Sequence, residues 1–150
     1  MKTSIFWLFL FIFWATILGL IAPTPEPEAP EIIDPVIIEL NVWETIQQLN
    51  IQHPDIVYCQ YQLESGSGTS QLSISNNNLF GMRCPKLRPT TSVCINGWAA
   101  YPSWRESVID YALWQSCYAR NLTTEEYYSK LGRVYATDSN YVNKLKYLNK

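Results

Sequence analysis

The sequence predicts a mostly helical α+β domain that carries a small β-lobe and follows one amino-terminal transmembrane helix. Three observations favour this fold class. Residues 5–22 form an uncharged apolar run, several later segments have the apolar spacing of helices, and residues 76–102 are rich in turn-forming residues. A chain of 150 residues has room for one domain and a short appendage.

The amino-terminal segment, residues 1–22, is the predicted membrane anchor. A helix over residues 5–22 spans about 27 Å, close to the thickness of a bilayer core. Lys2 precedes the apolar run and acidic residues follow it, so the positive-inside rule places the rest of the chain outside the cytoplasm. A secretory signal peptide is the alternative, and it exports the remainder equally well.

A spacer is predicted over residues 23–40. This segment contains five of the nine prolines and five acidic residues. Proline favours polyproline II and the carboxylates repel one another, so we expect a semi-stiff connection between the membrane and a domain over residues 41–150.

Composition excludes two classes of protein. Hydrophobic residues make up 47% of the chain, too many for a disordered protein. The 11 Lys and Arg residues are balanced by 13 Asp and Glu residues, so the chain lacks a basic stripe and no nucleic-acid partner is predicted. Beyond residue 40 the balance is mildly positive, with ten cations and eight acids.

Local signals place five helices in the domain. Pro54 suits a first helical turn, and the Gly-rich stretch after Glu64 ends that helix. Ser103 and Glu106 have the spacing of a capping box, and Thr124 is a predicted cap. The helix that starts at residue 104 is so rich in apolar residues that we expect it to be largely buried. The predicted ranges are 42–50, 54–64, 104–120, 124–131 and 139–148.

Residues 76–102 are predicted to hold two or three short strands. Asn96-Gly97 is a hairpin-turn signal. Cys84 and Cys94 lie ten residues apart in this lobe, and a disulfide between them is favoured because a small lobe gains most from a cross-link. Cys59 and Cys117 either pair or remain buried thiols, and the sequence does not decide between these.

No metal site is predicted. The chain has no Cys-x-x-Cys pair, and its single histidine, His53, directly precedes Pro54 at a helix start. His53 is therefore interpreted as an ordinary solvated or capping residue, and no cofactor is implied.

Glu64 is the strongest candidate for chemistry. It closes an apolar helix and precedes the flexible polar loop 65–70. The negative end of the helix dipole and partial burial both favour the protonated carboxyl, which is the state that a general acid needs. A solvated helix-terminal glutamate is the alternative.

Four blocks of sequence, taken in order, carry a family resemblance. They are residues 61–70 (YQLESGSGTS), 76–82 (NNNLFGM), 101–111 (YPSWRESVIDY) and 135–141 (YATDSNY). Together they resemble the glucosaminidase family of bacterial cell-wall hydrolases, glycoside hydrolase family 73, over about residues 44–149. The resemblance implies a lysozyme-like fold and an endo-β-N-acetylglucosaminidase that cleaves the N-acetylglucosaminyl-β-1,4-N-acetylmuramyl bond of peptidoglycan.

The resemblance and the apolar amino-terminal segment together imply a location and partners. The expected location is the bacterial cell envelope, with the domain anchored in the periplasm, or secreted if the amino-terminal segment is cleaved. The expected partners are peptidoglycan glycan strands and, through the amino-terminal helix, the membrane.

Individual site residues follow from the same blocks. Glu64 matches the family's general acid, and Tyr135 matches a tyrosine near the cleaved bond whose hydroxyl positions water or an acetamido group. The candidate substrate-binding residues are Asn77, Asn78, Phe80, Trp98, Tyr101 and Asp138. Turn formation is the alternative for the two asparagines, and capping of the following helix is the alternative for Asp138. Phe80 is expected to anchor the lobe, and Trp104 is expected to lie in the core.

One departure from the family concerns the second carboxylate. Residues 65–105 contain no Asp or Glu, so only Glu106, Asp110, Asp138 or a more remote acid is available for a two-carboxylate mechanism. Glu106 is interpreted as a cap and Asp110 as a helix-surface or core residue. We therefore hypothesise that the 2-acetamido group of the substrate assists bond cleavage while Tyr135 orients it.

Two other functions remain open on the sequence. A lytic transglycosylase is a lyase that works with one glutamic acid on a similar fold, and the acid-free lobe suits it. A non-catalytic glycan-binding protein that kept the fold is the other alternative.

Overall fold

The computed structural model describes residues 35–135 and 138–150. Within these ranges the chain forms six helices and a two-stranded antiparallel sheet. In chain order they are α1 (Pro35–Gln48), α2 (Pro54–Ser65), α3 (Gln71–Asn76), β1 (Val93–Ile95), β2 (Trp98–Ala100), α4 (Trp104–Tyr118), α5 (Thr124–Val134) and α6 (Tyr141–Leu148). The mostly helical α+β class is confirmed.

The first helix begins earlier than predicted. It starts at Pro35 rather than at residue 42, so the last six residues of the predicted spacer are helical. Proline is well tolerated there because the first turn of a helix makes no use of its N–H group. The predicted transmembrane segment and the rest of the spacer lie outside the described residues. None of the described helices has the length and apolar character that a bilayer crossing requires.

Some of the predicted helix caps and helix ends agree with the structure, and others do not. Gly66 adopts the left-handed conformation (φ 57°) just after α2, as the glycine signal predicts. The predicted capping box at Ser103 is wrong, because this side chain makes no cap hydrogen bond. The capping box belongs to α5, where it joins Thr123, one residue before the predicted cap, to Glu126. The short helix α3 was not predicted, and Ser70 caps it by accepting from the Ser73 N–H group.

The β-lobe is a hairpin closed by a disulfide. Ile95 pairs with Trp98, so Asn96 and Gly97 alone form the turn, both with positive φ (51° and 82°). These angles are those of the hairpin turn that the Asn-Gly pair predicts. Residues 82–84 run beside β2, where the Ala99 N–H group donates to the Met82 carbonyl at 3.0 Å.

The predicted disulfide between Cys84 and Cys94 is confirmed, with the two Cα atoms 5.4 Å apart. Cys59 and Cys117 do not pair with each other. Cys59 is a buried thiol on α2, whereas Cys117 is exposed on α4.

The core lies between α1, α2, α4, α5, α6 and the entry to the lobe. It is unusually rich in tyrosine and holds several polar side chains. The prediction for α4 is corrected in this respect. Its fully buried face carries Ser107, Asp110 and Gln115 beside Val108 and Tyr111, while several of its apolar residues, including Trp104, are only half-buried.

His53 takes a different role from the one predicted. It occupies the N-cap position of α2 with φ 55°, but its side chain makes no cap hydrogen bond. Its Nε2 atom lies 2.9 Å from the Leu122 carbonyl oxygen, and its ring stacks on Tyr127 at 4.7 Å. The imidazole therefore joins the start of α2 to the segment before α5.

An ion pair fastens the lobe to α4. Arg88, in the disulfide loop, donates to both carboxylate oxygens of Asp110 at 2.7 Å, and the Tyr101 hydroxyl donates to the same carboxylate at 2.8 Å. The two charged side chains are 4% and 0% exposed. These three bonds keep the pKa of Asp110 below its usual value, although burial alone raises it.

We predict that Asp110→Asn lowers the free energy of unfolding by about 3–5 kcal/mol, because it leaves Arg88 charged and buried without a counterion. Urea unfolding at pH 7 measures the change. Glu106→Gln, one turn earlier on the same helix, is the control and should change stability by less than about 0.5 kcal/mol. Equal stability of the two variants would contradict the role given to the ion pair.

Candidate active site

A polar cleft of about 610 Å³ lies between the helices and the lobe. Residues of α2, α3 and α6 line it from the helical side, and Gly81, Arg83 and Trp98 line it from the lobe. Two carboxylates, those of Glu64 and Asp138, line this cleft within the part of the chain that the structure describes.

Glu64 is half-buried on the last turn of α2 and faces the cleft. Burial raises the pKa of its carboxyl above the usual value, and a hydrogen bond from the Tyr141 hydroxyl to the carboxylate opposes part of that rise. The net direction is upward, so this carboxyl keeps its proton to a higher pH than a solvated glutamate does.

A chain of buried hydrogen bonds ends at Glu64. From the core to the cleft it consists of Gln115, Tyr127, Tyr111, Gln60, Tyr141 and Glu64. The Gln115 and Gln60 amide nitrogens each donate to a tyrosine oxygen at 3.0 Å. Since the Tyr111 hydroxyl donates to the Gln60 carbonyl oxygen, Tyr127 must donate to Tyr111. Every hydrogen in the chain therefore points toward the Glu64 carboxylate, an order in which each bond strengthens the next.

Gly81 allows the lobe to approach the Glu64 carboxylate closely. A Cβ atom at this position would lie 3.0 Å from Glu64 Oε2, and Gly81 has φ +60°. Only glycine satisfies both conditions without strain, because an L side chain disfavours this backbone conformation and would press on the carboxylate.

Tyr135 lies at the end of α5 and lines the cleft beside Glu64. Its hydroxyl donates to the Phe80 carbonyl, and its ring stacks on that of Tyr141 with an interplanar angle of 18°. Burial raises the pKa of this hydroxyl well above the usual value, so Tyr135 is neutral at physiological pH. Its oxygen retains lone pairs for a ligand donor.

Two of the predicted substrate-binding residues, Trp98 and Asp138, line the cleft. The Arg83 guanidinium covers one face of the Trp98 ring at 3.4 Å. Asp138 accepts from Lys144 Nζ at 2.7 Å and from the Asn140 N–H group at 2.9 Å, and both bonds lower the pKa of its carboxyl. Asp138 thus forms the turn before α6 and also lines the cleft, but the N-cap residue of α6 is Asn140 and not Asp138.

The other four predicted substrate-binding residues are placed differently. Asn78 is 1% exposed, and its amide donates to the Met82 and Ala99 carbonyls. Phe80 is fully buried against Tyr111, with ring centroids 4.5 Å apart. Neither side chain is exposed to the cleft, so the geometry does not support direct contact with sugar for either, and Phe80 packs into the core as an anchor of the lobe would.

Asn77 and Tyr101 also hold the lobe rather than face the cleft. The Asn77 amide donates to the Tyr101 carbonyl at 3.0 Å, and Asn77 takes the left-handed conformation that ends α3. The Tyr101 side chain is 6% exposed and its hydroxyl is bonded to Asp110. The turn-forming alternative for the asparagines is the one that the geometry supports.

Six residues that line the cleft were not singled out from the sequence: Leu63, Leu72, Gly81, Arg83, Tyr141 and Lys144. Gly81 and Tyr141 lie within the blocks that carry the family resemblance, so the sequence held a signal from which they could have been identified. In the described residues no cluster of three or more His, Cys, Asp or Glu side chains suits a metal ion.

A half-buried glutamic acid that faces a polar cleft beside a small β-lobe defines a glycoside-hydrolase-type site. A family model confirms the class: the glucosaminidase model, described as mannosyl-glycoprotein endo-beta-N-acetylglucosaminidase, matches residues 41–150. The chain therefore belongs to the glucosaminidase family.

One curated protein is similar to the chain. The chain is similar to Protein bax of Escherichia coli K12, with 38% identity over 89 residues that cover 58% of this chain and 30% of that protein. The matched part of the chain thus spans less than a third of the length of this curated relative.

Solved structures show the same fold. The catalytic domain of the autolysin Auto from Listeria monocytogenes is 25% identical, with a TM-score of 0.51 over 93% of this chain and 92% of that domain. An N-acetylmuramoyl-L-alanine amidase structure from Staphylococcus aureus is 27% identical, with a TM-score of 0.55 over 75% of this chain and 39% of that one. A type VI secretion effector–immunity complex from Pseudomonas protegens shares the fold, with a TM-score of 0.59 at 17% identity over 77% of this chain and 90% of that one.

We predict that Gly81→Ala lowers the activity of the domain at least tenfold, since its methyl group would displace the Glu64 carboxylate. Gly97→Ala is a matched control: it introduces alanine at a positive φ of 82° with no neighbour within 4 Å. Both variants should lose about 1–2 kcal/mol of stability, measured by thermal unfolding. Equal activities for the two variants would contradict a specific contact between Gly81 and Glu64.

Proposed function

We propose that the domain is an endo-β-N-acetylglucosaminidase that hydrolyses the β-1,4 bond between N-acetylglucosamine and N-acetylmuramic acid in peptidoglycan. Membership of the glucosaminidase family and the likeness to an autolysin catalytic domain support the substrate. The observation that carries the proposal is the half-buried Glu64, whose carboxyl has a raised pKa and faces the cleft.

Glu64 acts as the general acid in this proposal. Its carboxyl donates a proton to the bridging oxygen as the bond from that oxygen to the anomeric carbon breaks. Proton donation prevents the leaving sugar from departing as an alkoxide. Glu64 is left as a carboxylate, and the hydrogen bond from Tyr141 stabilises that charged form.

The acetamido group of the substrate supplies the second half of the reaction. Its carbonyl oxygen attacks the anomeric carbon as the leaving group departs, and water then opens the cyclic intermediate while the Glu64 carboxylate takes up a proton. Tyr135 orients this group, because its hydroxyl hydrogen is engaged by Phe80 while its oxygen can accept from the acetamido N–H. Trp98 and Asp138 contact the glycan along the cleft.

The proposed location is the bacterial cell envelope, outside the cytoplasm. A disulfide within the lobe suits an oxidising compartment, and peptidoglycan is an extracytoplasmic polymer. Anchoring through residues 1–22 is part of the same proposal, with a secreted domain as the outcome if that segment is removed.

A lytic transglycosylase is the second candidate, and one observation favours it. The segment 65–105 contains no carboxylate, so the acid beside Glu64 in the described cleft is Asp138, which is paired with Lys144. Such a lyase would leave anhydro-muramyl ends, whereas the proposed hydrolase leaves reducing N-acetylglucosamine ends.

We predict that Glu64→Gln lowers the rate of cleavage of purified peptidoglycan by about 10²–10⁴-fold, the contribution of a general acid. The full chain is purified in detergent, and the products are identified by mass spectrometry. Glu44→Gln, an exposed position on α1, is the control and should retain activity. Anhydro-muramyl products would show that the activity is that of the lyase and not the hydrolase. Unchanged cleavage by Glu64→Gln would overturn the catalytic role of Glu64.

We predict that Tyr141→Phe moves the alkaline limb of the pH–activity profile to higher pH. The Tyr141 hydroxyl stabilises the Glu64 carboxylate and so lowers its pKa; removing it lets burial raise that pKa further. A general acid works while it is protonated, so activity persists to higher pH in the variant. Tyr147→Phe, at an exposed tyrosine of the same helix, should leave the profile unchanged. A shift to lower pH would contradict the assignment.

A further inference from the structure

We propose that a second cavity beside the cleft binds the carboxylates of the peptide stem that peptidoglycan carries on its muramyl residues. The proposal deepens the proposed function and rests on it, because the stem reaches the cavity from a glycan strand that lies in the Glu64 cleft. We call this second cavity the stem pocket.

The stem pocket adjoins the reaction centre. It has a volume of about 250 Å³ and shares Gly81, Arg83 and Tyr135 with the Glu64 cleft. Its floor is formed by residues 82–86 and Arg88, at the start of the disulfide loop and just before it, and its far wall by the aromatic side chains of Trp114 and Tyr118 on α4. A ligand group that branches from the cleft at Gly81 therefore enters it directly.

The charge of the stem pocket is positive. Arg83, Lys86 and Arg88 line it, and none of its lining residues is acidic. Arg88 is neutralised by Asp110, with which it forms a bidentate pair at 2.7 Å. Arg83 and Lys86 are exposed and form no ion pair with any carboxylate in residues 41–135 and 138–150. Two uncompensated cations therefore face this pocket.

The loop that carries these cations is fixed in place. The Cys84–Cys94 disulfide closes it, the Arg88–Asp110 pair ties it to α4, and the Thr91 hydroxyl donates to the Glu106 carbonyl at 2.9 Å. Arg83 is further held over the Trp98 ring. Because the Arg83 side chain and the loop backbone that carries Lys86 are positioned before a ligand arrives, less conformational entropy is lost on binding.

The chemistry of the substrate matches this arrangement. In the proposed reaction the muramyl sugar lies on the leaving-group side of the bond that breaks. Its lactyl ether carries a short peptide with free carboxylates and methyl side chains, so negative charge branches from the strand within one sugar of Glu64. Arg83 and Lys86 suit the carboxylates, and the aromatic wall suits the alanine methyl groups. A glycan without stems offers neither.

The test compares two substrates with the full chain in detergent. One is intact peptidoglycan, and the other is the same material after an N-acetylmuramoyl-L-alanine amidase has removed the stems. We expect a preference for the stem-bearing strands. Lys86→Glu should lower kcat/KM on those strands about tenfold and bring the ratio of the two substrates close to one, whereas Lys86→Arg should keep the ratio. Lys150→Glu, at the exposed carboxyl-terminal residue, is the matched charge control.

A binding measurement separates this proposal from the proposed function. Glu64→Gln is combined with Lys86→Glu, and sedimentation with both substrates measures binding without cleavage. A preference for stems that depends on Lys86 supports the stem pocket even if no bond is cleaved. Equal binding to both substrates, or an equal loss on both with Lys86→Glu, overturns it. Amidase treatment leaves phosphate-bearing wall polymers in place. If binding to the amidase-treated strands still depends on Lys86, the cations are assigned to phosphate, and this also overturns the proposal.

Discussion

The hydrogen bond from Tyr141 to Glu64 is the contact on which the site depends. It requires α2 and α6 to lie side by side, and it is the last link of a chain of donors that begins on α4 and passes through α5. The polar character of the core follows from this requirement. A hydrocarbon core would pack these helices equally well, but it would leave the carboxylate that forms after proton donation without a donor.

The β-lobe is small, so polar contacts supplement its apolar burial and its disulfide. Asn78 bonds three backbone groups of the lobe, and Asp110 receives Arg88 and Tyr101 from its two sides. These contacts fix the position of Gly81, whose missing side chain leaves room for the Glu64 carboxylate. The lobe thus sets the burial of Glu64, and burial is the cause that raises its pKa.

The sequence predicts what depends on neighbours along the chain. The Asn96-Gly97 turn, the Cys84–Cys94 disulfide and the end of α2 all follow from signals within a few residues, and all are confirmed. Side-chain roles that depend on distant partners were not predictable in this way. The amide of Asn78 meets a carbonyl 21 residues away, and Gln60 meets Tyr141 across 81 residues. An asparagine run therefore resembles a sugar-binding loop until its partners are known.

The two carboxylates of the cleft are pushed in opposite directions by their surroundings. Burial raises the pKa of Glu64, while Lys144 and the Asn140 N–H group lower that of Asp138. Groups whose environments separate their pKa values in this way divide acid and anion roles between them. In the proposed mechanism Glu64 holds the proton for the leaving oxygen, while Asp138 remains a negative charge on the cleft wall. Its pairing with Lys144 weakens that charge, which is consistent with a reaction in which the acetamido group of the substrate, rather than a second carboxylate, attacks the anomeric carbon.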